Sequence, residues 1–385
     1  MKRILIIASW KMLHVRRFAE NLGKVKGDGL QIDLLENSCS IENVECNTFN
    51  NVYSIKISRI QSVLLKIPRI RVWFANNKTC DRLYELLSEK KYDLVVMMVV
   101  HNYAPFIVTT CNKFTTKVLL FPFGSEVIRI SESKKRKLKP AFLYADFVAT
   151  KENSSFSQYL INTYGIDKKK FVSYGVGSET ISAIIKNKGK FSREQMSKVL
   201  GIPFSRYNIC CGYNAQKSQR HEEMLCALYK NKNILPNGYQ VIIPLSYGDS
   251  KKELIDRLGK QAKEYNLSIV FVTNYLSVDE LSYLRLITDL FIHVQTTDAA
   301  NASIQEFILA GARCINGQWL SYPYLETEGL PYYQCPEINE LPSVIREAIL
   351  NRDSDFAVPH GAISEIEHNS YENVINNWKD FFYNV

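Results

Sequence analysis

The chain has 385 residues, enough for two domains of ordinary size, and 46% hydrophobic with 23% charged residues is the balance of a folded soluble protein. No run of eighteen apolar residues occurs, so no transmembrane helix is expected. The net charge of +9 is uneven: residues 1–175 hold 28 Lys+Arg against 15 Asp+Glu, roughly +13, which leaves about −4 for the rest. A basic first half suits nucleic acid, an anionic membrane surface or a phosphate-bearing ligand, and equally a solvated surface with no partner.

Arg3 to Ala8 is predicted as a first buried strand. The opening MKRILIIASW is basic then apolar, like a signal peptide, but its apolar part stops at Ala8, and Lys11 and His14 follow at once. A helix follows over His14 to Lys24, packed by Val15, Phe18, Ala19 and Leu22. From Asn51 to Phe74 apolar residues, Trp73 among them, interleave with Lys56, Arg59, Lys66, Arg69 and Arg71, and no acidic residue intervenes. That pattern suits docking on an anionic bilayer; a core-facing helix with a basic outer face fits it as well. Pro68 breaks any single helix through the stretch.

Asp93 to Val100, DLVVMMVV, is a near-continuous apolar strand with His101 at its carboxyl end. Thr116 to Phe121 is the next strand and runs into Pro122-Phe123-Gly124-Ser125-Glu126. Gly124 permits a close backbone approach. Ser125 and Glu126 either hydrogen-bond a ligand's hydroxyls or cap the next helix. Ser133 to Lys139, SKKRKLK, is the densest basic run; no aromatic residue interrupts it for base stacking, so phosphate or lipid headgroups fit it at least as well as nucleic acid. A strand at Asp146 to Thr150, a helix at Asn153 to Tyr164 stopped by Gly165, and a strand with a Gly turn at Phe171 to Gly177 complete the half.

Ser178 to Arg206 shows no clear strand and reads as an interdomain linker with a helix near Arg193 to Leu200. Arg206 to Gly212 opens the second domain. Its loop, Tyr213-Asn214-Ala215-Gln216-Lys217-Ser218-Gln219-Arg220-His221, leads into a helix over Glu222 to Tyr229. A Gly-ended strand, a basic loop and a helix form a phosphate cradle in which Lys217 and Arg220 neutralise a diphosphate. Ser268 to Val272 is a strand leading to Thr273-Asn274-Tyr275-Leu276, followed by a short helix. Then comes DLFIHVQTTDAANASIQEFILAGARCIN, Asp289 to Asn316: strand, polar loop, helix from Ser303 to Ala310, Gly311 as stop, strand. Asp298 is placed at the mouth of the sheet, and the first amides of the helix, on Ala302, Ser303 and Ile304, make an anion site. Leu341 to Leu350 and Tyr371 to Phe382 are late helices, the second carrying Trp378, Phe381 and Phe382. Nine cysteines, scattered without paired spacing, fit a reducing cytoplasm and no zinc site.

Asp298 and Glu306, with seven residues between them and followed by an apolar stretch and Gly311, resemble the donor-site signature of GT-B glycosyltransferases of family 4. Here Asp stands for the usual first Glu, and Ala299-Ala300-Asn301 replaces the frequent Gly-Phe-Gly. The resemblance implies that Asp298 contacts donor-sugar hydroxyls and Glu306 the ribose, with Asn301 beside them. It implies that His101 faces the donor sugar and that Tyr275 and Leu276 line the base pocket. HVRRFAENL at 14–22 resembles the family's first helix and makes His14, Arg16 and Arg17 acceptor-side residues. Gly124-Ser125-Glu126 resembles its Gly-Ser-Asp turn on the same side. CGYNAQKSQRHEEML at 211–225 and IIPLSYG at 242–248 also resemble 4-acetamido-4,6-dideoxygalactose transferases of bacterial polysaccharide synthesis, which adds Gly212, Tyr213, Asn214, His221 and Tyr247 to the donor side.

The expectation is therefore an α/β GT-B chain: an acceptor-binding Rossmann-like domain at 1–177, a linker at 178–205, a nucleotide-sugar domain at 206–365 and a terminal helix at 366–385 returning to the first domain. It moves a sugar from a UDP-, dTDP- or GDP-linked donor to a lipid-linked or saccharide acceptor. Configuration is retained, no metal is required, and the protein sits on the inner face of the cytoplasmic membrane. Two rivals remain: a GT-B sugar-nucleotide epimerase, and a non-catalytic basic module for membrane or nucleic acid.

Overall fold

The computed structural model describes residues 1–37, 46–55, 57–58, 61, 65, 67–152, 154–248, 251–297, 302–354 and 356–385; at 13, 14, 68, 69, 71, 72 and 251 it describes the backbone alone. The chain divides into two compact units, Met1–Gly177 with Glu372–Val385, and Ser178–Tyr371.

Unit 1 is built on a parallel sheet of β1 (Lys2–Ala8), β2 (Leu30–Glu36), β3 (Val52–Ser54), β4 (Leu94–Met98), β5 (Lys117–Phe121), β6 (Phe147–Ala149) and β7 (Phe171–Val172), in the order β3-β2-β1-β4-β5-β6-β7. β1 and β4 are continuous apolar runs because helices cover both faces, so neither face needs polar side chains. The order reverses between β1 and β4, where Ile4 pairs with Leu94 and Ile7 with Met97. Ligands of such sheets bind beyond the carboxyl ends of the strands at this point. Pro68 is the first residue of a helix, Pro68–Glu89, where its missing N–H has no intrahelical role. SKKRKLK lies in the helix Glu132–Tyr144, whose Leu138, Ala141 and Phe142 are buried while Lys134, Arg136, Lys137 and Lys139 are exposed.

The terminal helix, Tyr371–Asn384, completes this unit's core with Val374, Trp378 and Phe382. Trp378 is fully buried, stacks on Phe121 at 5.6 Å, meets Phe18 edge-on at 6.1 Å, and donates its indole N–H to the Gly175 carbonyl at 2.9 Å.

Unit 2 repeats the winding with β8 (Tyr207–Cys211), β9 (Tyr239–Pro244), β10 (Ile269–Val272), β11 (Leu290–His293), β12 (Arg313–Gly317) and β13 (Tyr333–Cys335), all parallel in the order β10-β9-β8-β11-β12-β13. Its switch point lies between β8 and β11. Neighbours Cys210 and Cys211 point to opposite faces, into different core clusters.

Residues 178–205 are not a linker. Unit 2 begins at Ser178, and the helix Glu179–Asn187 buries Ile181 and Ile184 against Ile304 and Phe307. Asn187 donates to Asp279 at 3.0 Å and Ser282 at 2.9 Å, and Arg193 forms an ion pair with Asp289. Apolar periodicity in 179–187, masked by the surrounding Lys and Ser, decides the matter. The terminal segment is also shorter than 366–385, because Ile366 is buried in unit 2 and the boundary falls after Tyr371.

Candidate functional site

Four loops gather over the β8/β11 switch point. Gly212, just past β8, takes a positive φ of 64° and donates its N–H to the Ile292 carbonyl at 3.2 Å. A Cβ there would stand 2.7 Å from Gln219 Oε1 and 3.0 Å from His221 Nε2, so any side chain would displace those groups as well as strain the backbone. Farther along the loop Ala215 N–H donates to the Tyr247 carbonyl at 2.7 Å, and Gly248 at φ 125° lets the two backbones meet; a Cβ would stand 2.7 Å from the Ala215 carbonyl carbon. Thr296 N–H donates to the Ser218 carbonyl at 2.9 Å. The loops after β8, β9 and β11 are thus stitched by backbone.

Beneath them runs a buried polar ladder. Tyr213 hydroxyl and Gln219 Nε2 donate to Gln295 Oε1 at 3.0 and 2.8 Å; Gln295 Nε2 lies 3.3 Å from His293 Nε2; His293 Nδ1 lies 2.9 Å from Asn316 Oδ1. Gln295 Nε2 is a donor and Asn316 Oδ1 an acceptor, so the imidazole tautomer with its proton on Nδ1 fits both contacts. Trp319 donates its indole N–H to the Gln295 carbonyl at 2.7 Å and lays its ring under Arg220, whose guanidinium carbon is 5.1 Å from the ring centre. Arg220 also has a left-handed backbone, φ 63°, at the start of the helix His221–Lys230. Backbone and cation–π contact together fix one cation at the rim, while Lys217 beside it is exposed.

Of the expected donor-side residues, Tyr213 and Asn214 build the loop: Asn214 Oδ1 accepts from Gln216 N–H at 2.9 Å and its amide lies 3.5 Å from the Tyr247 hydroxyl. His221 is 3% exposed, its Nε2 has no hydrogen-bond partner among the described residues, and burial pulls its pKa down to about 4. The helix Ala302–Ala310 covers the stretch expected at Ser303 to Ala310; the Ile304 side chain is core, so only its backbone is available to a ligand. Tyr275 is exposed, but Leu276 packs with Ile242, Val272 and Leu284, which removes its side chain from any base pocket. Asp298 and Asn301 lie outside the described residues.

Glu306 is 6% exposed and already engaged. Its Oε1 accepts from the Ser178 hydroxyl at 2.9 Å and its Oε2 from Arg285 Nε at 3.1 Å.

In unit 1 the loops after β4 and β5 meet at the carboxyl edge. Val99 takes a positive φ of 64°, uncommon for a β-branched residue, and turns the chain into His101. His101 stacks on Tyr103 at 5.7 Å, and burial lowers its pKa. Glu126 accepts from Phe123 N–H at 2.6 Å. Burial pushes its carboxyl up, against the pull of the backbone N–H groups of Phe123, Glu126, Val100 and Gly124. Glu126 therefore clamps the turn at Gly124 (φ 119°) to the loop that carries His101, and Ser125 is left exposed. Asn37 donates to the Tyr103 hydroxyl at 2.7 Å, and Trp10 N–H to the fully buried Glu36 at 3.3 Å. Arg16 pairs with Glu20 at 3.1 Å and lies over Trp10, and Arg17 is half-buried; the His14 side chain lies outside the described residues.

Sequence reading missed Arg285, Gln219, His293, Gln295, Asn316 and Trp319. A signal existed for two of them: Phe291, His293 and Gln295 recur at every second position, one face of a strand turning polar toward its carboxyl end. The others meet only through the fold.

No family model and no curated protein matches the chain. Solved structures do. A glycosyltransferase from Rickettsia africae ESF-5 is 15% identical, with a TM-score of 0.73 over 99% of this chain and 97% of that one. Anabaena HepE, in complex with UDP, is 14% identical with a TM-score of 0.70 over 100% of both chains. Sucrose-phosphate synthase from Thermosynechococcus elongatus is 11% identical with a TM-score of 0.66 over 99% and 98%. The likeness shows the fold: two parallel α/β sheets in one chain, the GT-B architecture expected above.

Proposed function

We propose that the chain is a glycosyltransferase. Unit 2 binds a nucleotide-sugar donor, UDP-, dTDP- or GDP-linked; unit 1 binds a lipid-linked or saccharide acceptor of bacterial surface-polysaccharide assembly. The observation that carries this reading is Arg220, held over Trp319 by a left-handed backbone at a sheet switch point, with Lys217 next to it. A fixed cation and a mobile-stemmed one at that place suit a diphosphate, which carries charge that grows as the glycosidic bond breaks. The amides of Ala302, Ser303 and Ile304 and the carboxylates of Asp298 and Glu306 complete the donor pocket: amides on phosphate, Glu306 on ribose, Asp298 on the sugar. HepE, alike in fold, is solved with UDP and with UDP-glucose, which supports a nucleotide donor. On the acceptor side stand His14, Arg16, Arg17, Gly124, Ser125 and Glu126, with His101 at the carboxyl edge of the same unit's sheet. Retention of configuration and kinship with acetamidodideoxyhexosyl transfer belong to the same reading.

Peripheral attachment to the cytoplasmic face of the membrane is part of it. Ile67, Ile70 and Trp73 recur every third residue at the start of the helix Pro68–Glu89 and are 51%, 38% and 65% exposed, with Arg69 and Arg71 between them in the sequence. Lys56, Arg59 and Lys66 lie outside the described residues. Among the described residues no helix is long and apolar enough to cross a membrane.

Thermal-shift screening of the intact chain against UDP-, dTDP- and GDP-sugars tests the donor assignment. One nucleotide class raises Tm, since a ligand at a hundred times its Kd adds about 2.7 kcal/mol to the bound unit. A flat response to all three classes contradicts it.

A further inference from the structure

Several arginines of this protein lie over an aromatic ring and have an acceptor as well. Arg16 over Trp10 pairs with Glu20, Arg82 over Tyr53 with Glu85, and Arg285 over Phe307 with Glu306. Arg313 over Phe356 donates to the Arg352 and Ser354 carbonyls. Arg220 differs. It is half-buried over Trp319, and its guanidinium makes no hydrogen bond or ion pair among the described residues. Trp319, in turn, is fixed twice. Its indole N–H donates to the Gln295 carbonyl at 2.7 Å, and its ring packs against the bare α-carbon of Gly317, where a Cβ would stand 2.6 Å from Cε2 and Cζ2. Gly317 ends β12 and pairs with Cys335 of β13, so the seat of the indole belongs to the sheet itself.

We infer that Trp319, seated on Gly317, is a positioning residue that holds the Arg220 guanidinium ready for the second phosphate of the donor. The inference rests on the donor reading above and adds to it a residue that acts through Arg220. A carboxylate fixing Arg220 would occupy its N–H groups and offset its charge. An aromatic ring takes only the face of the guanidinium. The N–H donors, which lie in its plane, stay available, and so does the charge. An arginine with no contact at all would lose rotamer freedom on binding. Here the ring and the left-handed backbone of Arg220, φ 63°, remove much of that cost before the ligand arrives.

The test is calorimetric titration of the intact chain with UDP, UMP, GDP, GMP, dTDP and dTMP. Wild type is expected to favour one diphosphate over its monophosphate by about tenfold or more. Trp319→Leu removes the ring at a position 37% exposed and is expected to reduce that ratio at least about threefold, while Trp319→Phe, which keeps a ring, retains most of it. Gly317→Ala leaves both side chains intact and displaces the indole; it is expected to act as Trp319→Leu does, and it carries the test where Trp319→Leu fails to fold. In an Arg220→Ala background Trp319→Leu should change the ratio no further, because its effect passes through the guanidinium. A purely structural role for Trp319 weakens monophosphate and diphosphate alike and leaves the ratio unchanged. An unchanged ratio in Trp319→Leu or Gly317→Ala, equal loss in Trp319→Phe and Trp319→Leu, or a further loss in the Arg220→Ala background overturns this inference while leaving the donor reading intact. Absence of binding of all six nucleotides by wild type, or equal affinity for monophosphate and diphosphate, overturns the donor reading and this inference with it.

Discussion

The two units share one winding and differ in what their switch points carry. Beyond β1 and β4 of unit 1 the polar groups are acidic and aromatic: Glu36 fully buried, Glu126 clamped by backbone amides, His101 stacked on Tyr103. Beyond β8 and β11 of unit 2 they are cationic and amide: Arg220 over Trp319, exposed Lys217, and the Gln219–Gln295–His293–Asn316 ladder. The local charges oppose the regional ones. Residues 1–175 hold roughly +13, yet the loops there bury the carboxylate of Glu36 and hold Glu126 on backbone amides; the remainder holds about −4, yet its loops hold Arg220 over Trp319. Net charge reports on helix exteriors such as Glu132–Tyr144, whereas the chemistry of a doubly wound sheet resides in a few loop residues.

That contrast can be broken in several ways. The largest expected effect is on unit 1 alone. Trp378→Ala empties the centre of its aromatic cluster and should cost about 3–5 kcal/mol, measured as a lower denaturant midpoint for that unit. Nucleotide affinity of unit 2 should stay unchanged; equal loss in both units would merge what the contrast keeps apart. Removing both rim cations, Lys217→Ala with Arg220→Ala, should lower kcat by about a hundredfold to a thousandfold while Tm barely moves. Activity within threefold of wild type would place the diphosphate elsewhere.

Smaller effects sharpen the picture. Folded His221, with its pKa near 4, refuses a proton that the unfolded chain accepts near pH 6.5. Its contribution to stability is therefore undiminished above pH 6.5 and falls as pH drops from there toward 4. His221→Gln should flatten the acid slope by about 1 kcal/mol per pH unit near pH 5, read from urea midpoints at pH 5 and 7. An unchanged slope would mean that His221 charges freely in the fold. Trp73→Ala should reduce sedimentation with phosphatidylglycerol vesicles severalfold and leave phosphatidylcholine vesicles unaffected. Equal loss on both would remove the anionic component from the docking face.

The sequence made most of the scaffold legible because parallel strands buried on both faces are continuous apolar runs. DLVVMMVV and RILIIA fall on β4 and β1 within a residue or two. Gly165 stops its helix in the left-handed conformation. β2, LQIDLLE, lacks that signal: Asp33 and Glu36 interrupt its apolar run, yet both are buried, Asp33 accepting from the Tyr92 hydroxyl at 2.7 Å across 59 residues. The helix 179–187 is hidden among lysines and serines for a similar reason: of its buried residues, Thr180, Ile181, Ala183, Ile184 and Asn187, only the two isoleucines are large and apolar. At the site, motif spacing put Lys217, Arg220 and Glu306 in view. It could not show that Leu276 turns into the core, or that Glu306 is paired with Arg285, because both facts depend on residues brought together by folding.

The central claim is that the loops over β8 and β11 grip a nucleoside diphosphate. It is tested most directly by titrating the intact chain and its Lys217→Ala, Arg220→Ala double variant with UDP and GDP in a calorimeter at low salt. The account expects saturable binding of one of them by the wild type, weakened at least tenfold in the variant with its Tm unchanged. Equal affinity in the two proteins would contradict it.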